Sequence, residues 1–192
     1  MSLKITSPFS RFTKAKYPVS VIDQINDYLD TLDHTWKAGT SYNKEVFAAN
    51  EKYRYCQLSW VKDKYLKDFV FKQFLHANKS GMWNFDIDGM EDIQYTVYDE
   101  NNHYDWHSDH FIESDRCRKL SMSLMLGQIG EDYTGGEFEY RYLSGPDVIT
   151  DTYPLNKGEA IVFSSQLHHR VTPVTSGVRR VLVAWAWGPM HT

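Results

Sequence analysis

The spacing of hydrophobic and polar residues changes about halfway along this chain. In the first half, apolar residues recur every three to four positions, which is typical of amphipathic helices. This spacing predicts one helix over VIDQINDYLDTL, residues 21–32, directly after Val19 and Ser20, and a second helix over about Lys62–Asn78. The segment between them, Gly39–Lys52, is polar and follows neither period, so we expect an irregular loop there.

From Met90 onward the apolar residues come in short segments rich in β-branched and aromatic side chains. Turn residues separate these segments, and one segment, KLSMSLML, alternates with the period of two that a strand requires. Its two faces carry Leu120, Met122, Leu124 and Leu126 on one side and Lys119, Ser121, Ser123 and Met125 on the other. Many short strands with regular turns indicate a sandwich or jelly roll. We therefore expect a mainly β fold with the N-terminal helices packed outside it.

The last apolar segment, VRRVLVAWAW, contains two arginines. With a period of two, Arg179 shares a face with apolar residues and Arg180 lies on the opposite face. The residues on the Arg179 face are Val181, Val183, Trp185 and Trp187. An arginine on an apolar face is costly unless an anion meets it. That anion could be a carboxylate of a bound ligand or an internal Glu or Asp, and an arginine at a sheet edge could instead extend into solvent.

Composition narrows the class of protein. The 192 residues are 42% hydrophobic and 15% aromatic, with a net charge of −4. A chain this apolar with so little net charge is not disordered, and it lacks the basic excess that would indicate a nucleic-acid partner or a polybasic membrane anchor. We find no internal repeat and expect one domain over residues 1–192, with a helical N-terminal support at about 1–90 and a β core at about 91–189.

The cysteine content and the length of the apolar runs indicate the cellular compartment of the protein. Cys56 and Cys117 do not make a disulfide framework, so we expect buried or partly buried free thiols in a reducing compartment. The N-terminal residues lack the continuous apolar run of a secretion signal, and the longest apolar run, Val181–Trp187, is too short to span a bilayer. We therefore expect a soluble cytoplasmic protein, and its oligomeric state stays open.

A candidate metal motif precedes the alternating strand. In an extended segment, His107 and Asp109 of the HxD sequence point to one side and could bind one metal ion. The signal is weak alone, because 8 His and 25 acidic residues give about one such pattern by chance, and residues 103–105 form a second one. His169, 60 residues downstream of Asp109, could complete a set of two histidines and one carboxylate. That set is typical of non-haem Fe(II) oxygenases.

Three segments in order carry a resemblance to a known family. They are Y-x5-Y-x2-H-x-D (Tyr98, Tyr104, His107, Asp109), YTGGEFEY and LNKGEAIVFSSQLHHRVTPVTSGVRR. Together they resemble the 2-oxoglutarate- and Fe(II)-dependent oxygenases, specifically the prolyl 4-hydroxylase-like and PKHD-type hydroxylase branch. The resemblance covers about residues 91–188 and implies a double-stranded β-helix, in agreement with the strand pattern.

The resemblance implies a metal-ligand set. His107, Asp109 and His169 match the Fe(II) ligands, and they are the residues to which we would assign catalysis. His168 is then an outward-facing neighbour of His169, and the second HxD sequence, residues 103–105, falls in a loop before the metal motif.

The resemblance also implies a cosubstrate pocket. Arg179 matches the residue that holds the distal carboxylate of 2-oxoglutarate, and Tyr98 matches a tyrosine that lines the pocket. Val171 and Trp185 match apolar wall positions. Prolyl hydroxylases often carry a tyrosine where Met125 stands, as a second donor to that carboxylate. Met125 cannot donate, so a Ser, a Tyr or water replaces it, or the affinity for the cosubstrate is lower.

The implied activity is hydroxylation of an unactivated C–H bond of a prolyl or other amino-acid residue, peptidyl or free. Fe(II), 2-oxoglutarate and O2 would be required, with succinate and CO2 released and ascorbate a candidate reductant. Asp109 favours hydroxylation over halogenation, because related halogenases have a small residue there. The alternatives are a non-catalytic β-helix that binds a ligand or partner and retains a structural metal site, and a cupin-like metalloenzyme without a cosubstrate. Under this resemblance Gly39–Lys52 becomes a predicted lid over the substrate.

Overall fold

The computed structural model describes residues 11–43, 46–49 and 52–190. Within these residues the chain forms two helices, α1 (Val19–Asp30) and α2 (Lys64–Ser80). The strands are β1 (Phe12–Lys16), β2 (Lys37–Ala38), β3 (Thr40–Asn43), β4 (Val46–Ala49), β5 (Arg54–Tyr55), β6 (Gln57–Val61), β7 (Gly89–Met90), β8 (Ile93–Tyr98), β9 (His103–His107), β10 (Ile112–Glu113), β11 (Arg116–Met125), β12 (Tyr133–Gly135), β13 (Phe138–Ser144), β14 (Asp147–Tyr153), β15 (Glu159–Ser164), β16 (His168–Val171), β17 (Val174–Gly177) and β18 (Arg179–Pro189).

Both predicted helices exist, and each lies within two residues of its predicted bounds. The helix α2 begins after Asp63, whose side chain accepts a hydrogen bond from the Leu66 N–H at 2.8 Å. A capping carboxylate satisfies one of the backbone donors that the first helical turn leaves free. The helix α1 follows Pro18, whose φ of −56° suits the start of a helix.

Two antiparallel sheets form the body of the fold. The larger sheet has nine strands, in the order β1-β15-β11-β18-β8-β6-β2, with β10 added on β11 and β7 on β18. The smaller sheet has five, in the order β14-β13-β16-β9-β5. This arrangement confirms the prediction of a mainly β, double-stranded β-helix with flanking helices.

Strand alternation decides which side of the larger sheet faces the helices. One face of β11 and β18 packs with α1 and α2 in a single core, to which these strands contribute Leu120, Met122, Leu124, Leu182, Ala184 and Ala186. The opposite face of the same strands, with Met125 and Val181, packs against the smaller sheet. The predicted two-faced patterns of both strands are therefore confirmed. The face of β18 that carries Arg179 is directed into the space between the two sheets.

The N-terminal part is less purely helical than predicted. It adds strands to both sheets, because β1 pairs with β15, β6 pairs with β8, and β5 pairs with β9. These strands are short, and β1 and β5 are edge strands while β6 lies next to an edge. Local sequence preference is a weak signal at such positions. The assignment of residues 1–90 to a helical support is thus too simple, and the single domain over residues 1–192 stays a prediction.

The predicted lid, Gly39–Lys52, lies only partly within the described residues. Residues 44, 45, 50 and 51 fall outside them. The rest is not irregular, because β3 and β4 pair with each other in an antiparallel arrangement. A role in closing over a substrate stays a prediction.

Two further expectations concern the cysteines and the membrane. Cys56 and Cys117 are both buried free thiols, as predicted. Neither α1 nor α2, the helices of the described residues, combines the length and the apolar character needed to cross a membrane.

The core between α2 and the larger sheet gives a test of the packing. Phe74 is completely buried, whereas its neighbour on the same helix, Leu75, is 45% exposed. We expect Phe74→Ala to lower the free energy of unfolding by about 3–5 kcal/mol, because it leaves a cavity. Leu75→Ala should cost about 0.5 kcal/mol or less. Urea unfolding followed by circular dichroism measures both, and equal losses would contradict the burial of this helix face.

Candidate metal centre

Two strands of the smaller sheet bring the candidate ligands together. His107 at the end of β9 and His169 in β16 are paired across the strands, and Asp109 follows His107 by two residues. All three side chains are buried. One ligand atom from each lies within 4.8 Å of the others. The Asp109 oxygens lie 3.6 Å from His107 Nε2 and 3.7 Å from His169 Nε2.

Hydrogen bonds to the backbone orient both imidazoles. His107 Nδ1 lies 2.7 Å from the Asp105 carbonyl oxygen, and His169 Nδ1 lies 2.9 Å from the Leu167 carbonyl oxygen. Each Nδ1 must carry its proton to donate to a carbonyl, so each Nε2 is left with a free lone pair directed toward Asp109. Such outer hydrogen bonds fix the tautomer of metal-binding histidines.

Three aromatic rings pack against the two imidazoles. Tyr104 stacks on His107 with 3.5 Å between ring centroids. Phe138 stacks on His169 at 5.2 Å, and Phe163 meets the same ring edge-on at 4.9 Å. The rings therefore have little freedom to turn away from the carboxylate.

The charges of the cluster favour ligation. Burial lowers the pKa of His169 to about 4, helped by the nearby His107, so this imidazole is neutral at physiological pH. Burial by itself would raise the pKa of Asp109, but the two histidines and Arg118 hold it below its ordinary value. A neutral imidazole and an ionised carboxylate are the forms that bind a metal.

The donor set fits Fe(II). Two imidazoles and one carboxylate on one side of an ion leave other positions open for small molecules, as in non-haem Fe(II) oxygenases. Among the residues that the structure describes, this trio is the cluster of His, Cys, Asp and Glu that could hold a metal.

The other candidates from the sequence lie outside this cluster. His168 is exposed and stacks on Trp106 with 5.5 Å between centroids. His103 contacts the Asn101 and Lys52 carbonyl oxygens. The prediction that residues 103–105 lie in a loop is wrong, because they belong to β9, the strand that ends in His107.

Arg179 occupies the interior of the same barrel. It is 2% exposed, and its Nε and Nη1 have no hydrogen-bond partner among the described residues. Its guanidinium lies 5.1 Å from the ring centroid of Tyr98, its partner across β18 and β8. Of the readings that the sequence left open, neither a solvent-exposed edge arginine nor a salt bridge through these two nitrogens fits this position. A buried cation with two free donors fits an anion supplied from outside the chain.

Gly136 and two predicted pocket residues surround Arg179. Gly136 has a φ of +63°, and a Cβ there would lie 2.7 Å from Arg179 Cδ. Tyr98 and Val171, the predicted pocket residues, are both buried in the core between the sheets. The structure thus brings Tyr98, Val171 and Arg179 to the inside of the barrel, as the resemblance implied for Tyr98 and Val171 and as strand alternation predicted for Arg179.

A cleft of about 1130 Å³ opens over the metal candidates, and His107, Asp109 and Trp185 are among the residues that line it. Trp185 is 5% exposed, and its Nε1 donor has no acceptor within the described part of the chain. A buried donor without an acceptor is uncommon in folded proteins.

Sequence reasoning missed the cation that supports this wall. Arg118 lies over the Trp185 ring at 4.1 Å and donates to Glu91 at 2.8 Å, and Glu91 also accepts from Trp187 Nε1 at 2.7 Å. Arg118 Nη1 also reaches the Asp109 carbonyl oxygen at 3.5 Å. Three cations, Arg116, Arg118 and Lys119, stand at the start of β11, and no pattern in the sequence distinguishes Arg118 from the other two.

Comparison with known proteins agrees with this geometry. The family model of the 2OG-Fe(II) oxygenase superfamily matches residues 93–187, which include all three candidate ligands and Arg179. A PKHD-type hydroxylase of Synechococcus sp. strain CC9902 is 38% identical over 82 residues, which are 43% of this chain and 35% of the relative. The chain therefore spans about a third of the length of that curated relative.

Solved structures share the fold. The viral collagen prolyl hydroxylase of Paramecium Bursaria Chlorella virus-1, in complex with 2OG, superposes with a TM-score of 0.67 at 18% identity, over 93% of this chain and 97% of the other. A Trichoplax adhaerens prolyl hydroxylase bound to a hypoxia inducible factor peptide fragment gives 0.65 at 17% identity, over 92% and 83%. The matched segment and the buried trio of ligands agree: over residues 93–187, this chain is similar to the 2OG-Fe(II) oxygenase superfamily.

Proposed function

We propose that this protein is an Fe(II)- and 2-oxoglutarate-dependent dioxygenase that hydroxylates an unactivated C–H bond and releases succinate and CO2. One observation carries the proposal: a buried His-Asp-His trio and a buried arginine with free donors face the same barrel interior. The trio suits a ferrous ion, and the arginine suits a carboxylate that arrives with a ligand.

Each part of the interior has a role in this proposal. His107, Asp109 and His169 would hold Fe(II), and Arg179 would bind the distal carboxylate of 2-oxoglutarate through its guanidinium. When bound, the ion and its cosubstrate supply the oxidising chemistry that side chains lack. Tyr98 lies beside the guanidinium and excludes water from the ion pair, which strengthens it.

The substrate would enter through the cleft over the trio. Its wall is aromatic, with Trp185, Trp187 and Phe111, and its rim carries both acidic and basic side chains. We propose a prolyl or other amino-acid residue, peptidyl or free, as the substrate. The names of the relatives support proline and a peptide. A screen that follows 2-oxoglutarate consumption with prolyl peptides and with free amino acids would identify the substrate, and we expect stimulation by the prolyl compounds.

The ligand assignment is tested with paired histidine variants. We expect His107→Ala and His169→Ala each to abolish binding of stoichiometric Fe(II), because each removes one of three ligands. His168→Ala is the matched control and should bind like the unchanged protein, because His168 points outward. Anaerobic loading, desalting and iron analysis give the result. Loss of iron in the His168 variant but not in the His169 variant would refute the assignment.

The cosubstrate assignment is tested with the two neighbouring arginines. We expect Arg179→Leu to weaken 2-oxoglutarate binding about 100-fold or more, because two or more charge-assisted hydrogen bonds are lost. Arg180→Leu should change it little, because Arg180 lies on the other sheet face, 3.6 Å from Asp30. Anaerobic titration of the Fe(II) protein, followed by the metal-to-ligand charge-transfer absorbance, measures the affinity.

Succinate release is the second readout of the arginine variants. Unchanged affinity and turnover in Arg179→Leu would end the proposal. The non-catalytic alternative predicts no succinate from the unchanged protein with any substrate. The cupin-like alternative predicts turnover without added 2-oxoglutarate.

A further inference from the structure

The proposed carboxylate site has a gap on one side of Arg179. Met125 faces the barrel interior, is fully buried and pairs with Val181 across β11 and β18. Its thioether cannot donate a hydrogen bond. A carboxylate has two oxygens and about four acceptor positions, so a buried one held by a single guanidinium still has positions to satisfy. A second donor of this chain is needed to satisfy these acceptor positions.

Tyr133 lies beside Arg179 through the backbone. It is the first residue of β12 and pairs with Gly177, two residues before Arg179. The Val178 N–H donates to the Asp132 carbonyl oxygen at 3.1 Å, which extends this pairing to the residue next to Arg179. The side chain of Tyr133 is 3% exposed and belongs to the interior core with Tyr98, Met125 and Val181.

The ring of Tyr133 also lies beside the end of β11. A Cβ on Gly127, two residues beyond Met125, would stand 3.7 Å from Tyr133 Cδ1. Gly177 has a φ of +74°, and a Cβ there would lie 2.2 Å from the Asp132 carbonyl oxygen. The absence of side chains at these two glycines allows the β12–β17 pair to approach closely. The ring therefore lies between the strand end that carries Met125 and the strand start that carries Arg179.

We infer that the Tyr133 hydroxyl is the second donor to the distal carboxylate of 2-oxoglutarate, in place of the donor that Met125 cannot provide. This inference rests on the proposed function. It adds a cosubstrate-binding residue that the metal and arginine assignments do not require.

The protonation state suits a donor. Burial raises the pKa of Tyr133, and the nearby guanidinium of Arg179 only partly opposes this. The phenol therefore keeps its proton at physiological pH. A neutral phenol next to a guanidinium offers an O–H to an incoming carboxylate without adding charge to the pocket.

The serines of β11 fit this role less well. The Ser121 hydroxyl is already hydrogen-bonded to the Ser165 hydroxyl at 2.9 Å. Ser123 pairs with Val183, four residues along β18 from Arg179, which is about 13 Å of strand. Of these three residues, Tyr133 is the one that pairs within two residues of Arg179.

The experiment separates the distal carboxylate from the rest of the cosubstrate. Protein loaded with Mn(II), a redox-inert substitute for Fe(II), is titrated by calorimetry with 2-oxoglutarate and with 2-oxovalerate, which has no distal carboxylate. We expect Tyr133→Phe to weaken 2-oxoglutarate binding about tenfold or more, as for loss of a hydrogen bond to a charged group. Binding of 2-oxovalerate should change less than about twofold.

Two control variants complete the test. Tyr65→Phe, at an exposed position of α2, should leave both affinities unchanged. Ser123→Ala tests the competing hydroxyl and should not reduce 2-oxoglutarate binding selectively. Retained binding of 2-oxovalerate by Tyr133→Phe also shows that this variant is folded.

The outcomes are distinct. If Tyr133→Phe binds 2-oxoglutarate like the unchanged protein, or loses both ligands equally, the role of Tyr133 is refuted while the proposed function stands. A selective loss in Ser123→Ala with none in Tyr133→Phe would assign the donor to Ser123 and overturn the inference. Failure of the unchanged protein to bind 2-oxoglutarate would remove the proposed function and this inference together.

Discussion

The burial of the Arg179 guanidinium is the constraint on which the interior of this protein depends. Moving a cation out of water is expensive, and the described residues provide no acceptor for its Nε or Nη1. The free energy for holding it there comes from the rest of the fold. The strand that carries it, β18, is paired on both edges, with β11 on one side and β8 on the other. A ligand carboxylate would relieve the cost, so ligand binding and stability are linked at this residue.

The two faces of the larger sheet have different roles: the outer face stabilises the fold, and the inner face carries residues of the candidate site. The outer face is covered by α1 and α2 and contains aliphatic side chains from every central strand. This packing supplies hydrophobic stabilisation away from the polar groups of the site. The inner face can then carry serines and Arg179, which would weaken an ordinary core. A site with free donors and a neutral buried imidazole is tolerated because another layer stabilises the sheet.

The smaller sheet determines how the side chains around the candidate metal site are oriented. Between two paired positions, β16 advances by two residues, from His169 to Val171, while β9 advances by three, from His107 to Tyr104. This irregularity lets Tyr104 and His107 stack on each other although they are three residues apart. It also explains why His103 and Asp105, which alternation alone would place on the side of His107, do not join the metal cluster. A bulge that redirects a side chain next to an active site is a recurrent device.

Local periodicity determined a large part of this protein from the sequence alone. The two helices, the two-faced strands β11 and β18 and the inward direction of Arg179 follow from spacings of three to four and of two, which neighbouring residues fix. The chemical identity of the site also follows from residue types in the HxD motif and its downstream histidine. Tertiary structure decided what depends on strand pairing. It placed His169 opposite His107, turned one HxD motif inward and the other outward, recruited short N-terminal strands into both sheets, and set Tyr133 beside Arg179. Those contacts join residues tens of positions apart, and the packing of the whole chain selects among them, so no local pattern contains them.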